Sequence, residues 1–295
     1  MAKQGTLYLT LLVATFAVSW AAILIKLTGA EPLPTAFYRM AIASLFLLFP
    51  ALPKLRWSLK TLTSHEKLLL LFSGLALGFH FASWVTSLFY TTISNSVLIV
   101  ATQPVFVLVM EVIFFKQAIR ARAVIGMIIA VLGIAVISQG DFSLGREYII
   151  GDILALMGAI FAAIYLIIGR KLRTKLDNIS YIFPVYAIAA IVLLIMSIYN
   201  GENLTDYSPN TWLIFLLLAL VPTVVGHSLY NWLLKYVPAH KVAMTILGEP
   251  IGATLLAIPF FGQIPGKWTI IGGLMILSGI FIVLKRRNKE RLLAK

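Results

Sequence analysis

The sequence predicts an all-α integral membrane protein with ten transmembrane helices, arranged as two inverted five-helix repeats. Three observations lead there. First, the 295 residues are 60% hydrophobic and 12% charged, with a mean hydropathy of +0.96. A soluble chain carries about 25% charged residues, and a soluble fold of this length has too much surface to hide so much apolar area. Second, ten apolar runs follow one another, each roughly 18–24 residues, enough to cross a ~30 Å hydrocarbon core as helix. Third, the chain matches itself at a shift of 146 positions.

The runs span 6–27, 33–50, 67–89, 94–115, 121–138, 151–169, 179–199, 211–233, 239–261 and 267–285. The first follows a short basic MAK. It is too long for a signal-peptide core and lacks a small-x-small cleavage site, so it is read as a helix. Counting the connections alternately places twenty Lys and Arg on the side of both termini and three, Lys26, Arg146 and Lys267, on the other, with Arg39 inside a span. That asymmetry is the positive-inside pattern, which predicts cytoplasmic termini in a multi-pass plasma (inner) membrane protein. The net charge of +13 therefore reports topology and attraction to anionic headgroups, not a nucleic-acid partner. The chain has no cysteine, which excludes disulfides, thiolate metal sites and cysteine nucleophiles.

At the 146 shift, Phe89–Ile137 lies without a gap over Lys235–Val283. Tyr90 meets Tyr236, Pro104 meets Pro250, Phe114-Phe115 meets Phe260-Phe261, Gln117 meets Gln263, Gly126 meets Gly272 and Gly133 meets Gly279. The repeats are then 1–139 and 140–295, and an odd number of helices in each forces the second copy in from the opposite side. Inverted repeats with interrupted helices at matching places are a transporter signature, with the substrate site near the midplane. Pro104 and Pro250 each delete a mid-helix N–H, freeing the carbonyls of Val100 and Ile246. Free carbonyls cannot face lipid, so these kinks should face protein or a wet cavity; a plain packing kink is the alternative.

The two-fold repeat, the stretches VSWAAILIK (18–26), FYR (37–39), SNSVLIVATQPVF (94–106) and GEPIGATLL (248–256) together resemble the EamA-like branch of the drug/metabolite transporter superfamily. The resemblance covers nearly the whole chain. It implies a ten-helix carrier for small metabolites, often an exporter, whose cavity is lined by helices 1, 3, 4, 6, 8 and 9 with helices 5 and 10 peripheral. Many relatives carry a glutamate soon after helices 4 and 9. Gln117 and Gln263 stand here instead, so any role of that glutamate is absent in both halves.

Charged residues inside a span cost about 2.5–3.5 kcal/mol on insertion scales and default to functional hypotheses. Glu249 lies roughly 15 Å deep at ~1.5 Å per residue, and Arg39 about 10 Å from the outer face, leaving about 5–6 Å between their levels. Glu249 reads as a proton carrier or acceptor for a substrate ammonium, or as a structural partner for Arg39. Arg39 reads as a carboxylate binder or one half of a packing ion pair. Glu111, close to the end of its span, reads as structural. His80 and His227 are the intramembrane imidazoles, each a core hydrogen-bonder or a site residue; no HxxxH spacing exists, so no metal is expected. Trp20, Trp84, Tyr165, Tyr230 and Asn231 lie at cavity depth, Trp84 and Tyr230 being repeat mates, as are Gln103 and Glu249. Trp57, Trp212 and Trp268 sit at span ends as interfacial anchors.

Gly126, Gly133, Gly272 and Gly279 mark small faces on the fifth and tenth helices, for packing within a monomer or for a homodimer seam. No Walker loop occurs, so a secondary carrier leads, without cofactor. A lipid-modifying enzyme would need paired acid–base groups at one depth, and a channel a polar stripe along whole helices; the polar residues here are scattered. An export substrate with both charges, an amino acid or a related zwitterion, suits one Glu and one Arg, and proton coupling or facilitation both stay open. A multidrug exporter of cationic compounds is the alternative.

Overall fold

The computed structural model describes residues 4–115, 121–142, 145–236, 242, 246 and 248–284, and every regular element among them is helical. In chain order these are α1 (Gln4–Ser19), α2 (Ala21–Leu27), α3 (Pro32–Lys60), α4 (Ser64–Tyr90), α5 (Ile93–Val100), α6 (Gln103–Phe115), α7 (Ala121–Phe142), α8 (Arg146–Leu172) and α9 (Asn178–Tyr199). There follow α10 (Pro209–Leu218), a π-helical segment Ala219–His227, α11 (Ser228–Leu233), α12 (Gly248–Phe261) and α13 (Lys267–Leu284). Seven stretches are long and apolar enough to cross a membrane, and three shorter apolar helices, Val124–Gly140, Gly248–Phe261 and Lys267–Ile282, accompany them. Parts of the 239–261 run, and Gln117, lie outside the described residues.

Three of the runs read as single helices are interrupted, each for a local chemical reason. The first breaks at Trp20, where Ser19 Oγ donates to the Thr15 carbonyl at 2.9 Å; this back-bonding competes with the ladder and bends helices. The fourth breaks at Ala101–Thr102, where Thr102 Oγ1 donates to the Ile99 carbonyl at 2.7 Å and Pro104 has no N–H to give Val100. The eighth widens into the π-helical segment around Pro222, with Thr223 Oγ1 on the carbonyl of Leu218, five residues back, at 2.9 Å. In the other direction, the second helix runs ten residues past the expected end at 50, through Pro50 and Pro53. Phe49 and Leu52 there are 75% and 57% exposed, so this stretch of α3 lies at the surface of the bundle.

Chain ends meet on two faces, in the alternation expected of successive crossings. On one face the Asn203 N–H donates to Glu31 (2.7 Å), Thr211 to the Thr28 carbonyl (3.0 Å) and the Ile93 N–H to Gln263 Oε1 (3.1 Å). On the other, Ser58 meets Ser180 (2.9 Å) and Lys175 pairs with Glu66 (2.6 Å), where Thr63 and Glu66 form the capping box that starts α4. The core lies where α4 packs on α8 and α9, α3 on α9, and α1 on the π-helical segment and α12.

The pair α7 and α13 stands to one side, and its glycines close on each other within the chain. A Cβ on Gly133 would lie 2.7 Å from the Gly272 carbonyl oxygen, one on Gly272 2.5 Å from that of Gly133, and one on Gly279 2.5 Å from that of Gly126. The small faces are thus taken up by an intramolecular backbone approach. Gly133→Ala and Gly272→Ala should therefore each lower thermal stability in detergent by about 1–3 kcal/mol, the usual scale of overpacking. Gly5→Ala, where nothing lies within 4 Å, should leave it unchanged; three equal melting curves would contradict this packing.

Candidate functional site

The three interruptions bring polar side chains to one place. His80, Gln103, Tyr165, His227, Tyr230, Asn231 and Glu249 line a common cavity of ≈ 40 Å³, together with Val18, Leu77 and Ile246 among its apolar walls. That is room for a few water molecules. The walls come from the first, third, fourth, sixth, eighth and ninth apolar runs, the set that the resemblance implies. The repeat mates Gln103 and Glu249 stand at the same cavity. Glu249 makes no hydrogen bond or ion pair among the described residues.

Each wall residue is placed by identifiable contacts. His80 Nδ1 donates to the Gly158 carbonyl at 2.9 Å, so in the neutral ring Nε2 is an acceptor. Tyr230 shares a hydrogen bond with Thr15 at 2.9 Å. Asn231 Nδ2 donates to Tyr165 Oη and, at 2.8 Å, to the His227 carbonyl, while its Oδ1 is buried without a partner. Below it the buried Arg173 donates from Nε to the Asn231 carbonyl at 3.1 Å, tying α8 to α11. His227 packs edge-on against Phe81, its repeat mate, with centroids 5.5 Å apart.

Arg39, Trp84 and Trp20 do not line the cavity. Trp20 sits at the break between α1 and α2, edge-on to Phe260 at 5.8 Å. Trp84 stacks on His80 (5.9 Å, 7° between planes), directly behind the wall. Arg39 is fully buried and lies over the Phe81 ring at 4.3 Å and the Trp84 ring at 5.8 Å. Its Nε donates to Thr223 Oγ1 at 2.7 Å, and Nη1 and Nη2 have no partner. The Trp84 indole N–H is also buried and unpartnered. Arg39 and Glu249 form no ion pair among the described residues. Glu111 instead pairs with Arg170 across α6 and α8.

Sequence reasoning did not find Thr223, Phe81 or Arg173. Thr223 is 184 residues from Arg39 and no more polar than a dozen other hydroxyls. A pointer was available in Pro222, since an intramembrane proline frees a carbonyl that something must satisfy.

The comparisons agree with this geometry. The model of the EamA-like transporter family matches residues 3–139 and again 149–285. An uncharacterized transporter of Archaeoglobus fulgidus is 25% identical over 98% of this chain and 100% of its own length. The uncharacterized transporter YdfC of Bacillus subtilis is 26% identical over 95% of this chain and 90% of its own. A solved crystal structure superposes with a TM-score of 0.68 over 97% of this chain and 100% of that one at 16% identity, which speaks to fold alone. The chain belongs to the EamA-like transporter family, a family of multi-pass membrane transporters.

A packing ion pair and a ligand-binding cation differ in what their loss does to stability. Removing one partner of a buried pair is destabilising by about 3–5 kcal/mol, whereas replacing an uncompensated buried charge by an apolar side chain removes its desolvation cost. Arg39→Met should leave the melting temperature of the empty protein unchanged or raised. A marked fall would assign Arg39 to packing.

Proposed function

We propose that this transporter is a secondary carrier that exports small zwitterions, amino acids or close relatives, across the plasma (inner) membrane, with both termini cytoplasmic. The substrate carboxylate binds the Arg39 guanidinium, and the ammonium binds the Glu249 carboxylate. The observation that carries this reading is the pair of unpartnered Arg39 nitrogens, fully buried, next to a cavity that holds Glu249, which has no ion pair among the described residues. A buried guanidinium favours a planar, bidentate acceptor, which a carboxylate supplies. The Trp84 N–H adds a third donor beside it.

A cavity of ≈ 40 Å³ is too small for such a substrate, so transport requires it to widen toward each side in turn. The helix interruptions at Trp20, Ala101–Thr102 and Ala219–His227 are the places where that can happen without rebuilding whole helices. Ten crossings in two inverted halves, 1–139 and 140–295, complete the reading. Its support is reciprocity: Gly133 backs onto Gly272 and Gly126 onto Gly279, so each half gives and receives the same contact. Glu249, without an ion pair among the described residues, serves as the proton site of an antiport cycle. The aromatic walls and Glu249 alone would equally suit an organic cation, and this alternative makes opposite predictions for Arg39.

Proteoliposome counterflow with a panel of labelled amino acids and cationic dyes tests the reading. Saturable amino-acid exchange is expected, with Arg39→Met losing about 30-fold or more, since stripping a buried charged contact costs about 2–5 kcal/mol. Dye exchange indifferent to Arg39→Met would favour the cation reading. Under an imposed pH gradient, wild type should accumulate substrate and Glu249→Gln should only exchange it. Wild-type flux that ignores the gradient would exclude the coupled cycle.

A further inference from the structure

The outward face of the α4–α8 pair is hollowed along nearly its whole length, away from the cavity. A stacked pair, Phe79 on Phe161 with centroids 5.4 Å apart, divides the hollow in two and belongs to both halves. The half on the face of Glu66 and Lys175 is a groove of ≈ 880 Å³. Its walls are Leu69, Phe72 and Leu75 from α4 and Ile164 and Ile168 from α8, with Met110 of α6 beside them. At its mouth stand His65 and Lys171.

Length and charge both specify what fits. Leu69 to Phe79 is ten residues, about 15 Å of helix, which is half of a ~30 Å hydrocarbon core. The groove thus starts at headgroup level and closes at the midplane on the aromatic stack. Two neighbouring cations of the same chain segment are already neutralised: Arg170 by Glu111 and Lys175 by Glu66. Lys171 is exposed, and no carboxylate among the described residues pairs with it. The opposite half, ≈ 810 Å³, is different: Asn200 and Glu202 stand at its rim, where an anion would be repelled.

We propose that the groove is a binding site for one anionic phospholipid of the leaflet on the basic side of the protein. The phosphate sits on Lys171 beside His65, and the acyl chains lie along Leu69, Phe72 and Ile168 as far as the Phe79–Phe161 stack. Boundary lipid on a convex helix surface has neither a closed end nor a cation left open for its headgroup. The occupied groove braces α4 against α8, the two helices that present His80 and Tyr165 to the cavity.

Native mass spectrometry of the full chain in detergent tests this, with equimolar phosphatidylglycerol and phosphatidylcholine of matched chains. The wild type should retain one phosphatidylglycerol per chain in preference to phosphatidylcholine. Lys171→Gln should cut that preference about fivefold, the contribution of one cation near an anionic lipid, and Lys171→Arg should keep it. Lys60→Gln, an exposed cation on α3 outside the groove, should leave it unchanged. Glycerol phosphate at the same concentration should not displace the lipid, because the chains hold it. No preference in the wild type, an undiminished preference in Lys171→Gln, an equal fall in Lys60→Gln, or displacement by glycerol phosphate would each overturn the proposal.

Discussion

A guanidinium buried to 0% exposure with two of its nitrogens unpaired is the constraint on which the rest of this structure turns. A cation at that depth is tolerated only with compensation. The protein gives a part: the Phe81 and Trp84 rings, whose faces attract it by up to about 2 kcal/mol when desolvated, and a single hydroxyl, Thr223. That hydroxyl is in turn available because the helix carrying it has widened to π spacing around Pro222, so Thr223 reaches the Leu218 carbonyl and accepts from Arg39 at once. Irregular backbone at membrane depth and the lone charge therefore explain each other. No carboxylate among the described residues pairs with Arg39, and in the proposed cycle the substrate supplies one.

The same logic places the interruptions. Val18, Gln103 and His227, which flank or terminate the breaks at Trp20, Ala101–Thr102 and the π-helical segment, all line the cavity. Loosened ladders cost stability, and three of them border the cavity. Elsewhere α4 and α8 run as continuous helices, α9 continues through Pro184, and α7 and α13 are locked by glycine-to-carbonyl contacts. Compliance in the walls is set against rigidity in the frame.

Much of this was legible in the chain because the bilayer reduces the problem. Seven helices long enough to span and three shorter apolar ones lie along the predicted runs, since burial in lipid needs only length and hydropathy. Seven of the residues singled out by depth and polarity do stand around one cavity. What stayed hidden depends on tertiary partners. Nothing local marks Ser19 as a helix-bender until its hydroxyl is seen on Thr15, and Glu111 gave no sign that Arg170, far along the chain, would take it. The extension of α3 past Pro50 was missed because an apolar run marks the span and not the helix, and the polar turn beyond it to Lys60 carries no hydropathy signal. The space between Arg39 and Glu249 was estimated from depth alone, and depth says nothing about which way two side chains turn.

The proposed coupling between Arg39 and the carboxylate of the substrate is measured directly by a ligand–residue double cycle. Equilibrium binding of an amino acid found to be transported and of its carboxamide is compared in wild type and in Arg39→Met. In wild type the carboxamide should bind far more weakly, because it leaves the guanidinium's charge uncompensated. In Arg39→Met the two ligands should bind alike, both weakly. The same ratio of affinities in both proteins would mean that the carboxylate is recognised elsewhere, and would contradict the account.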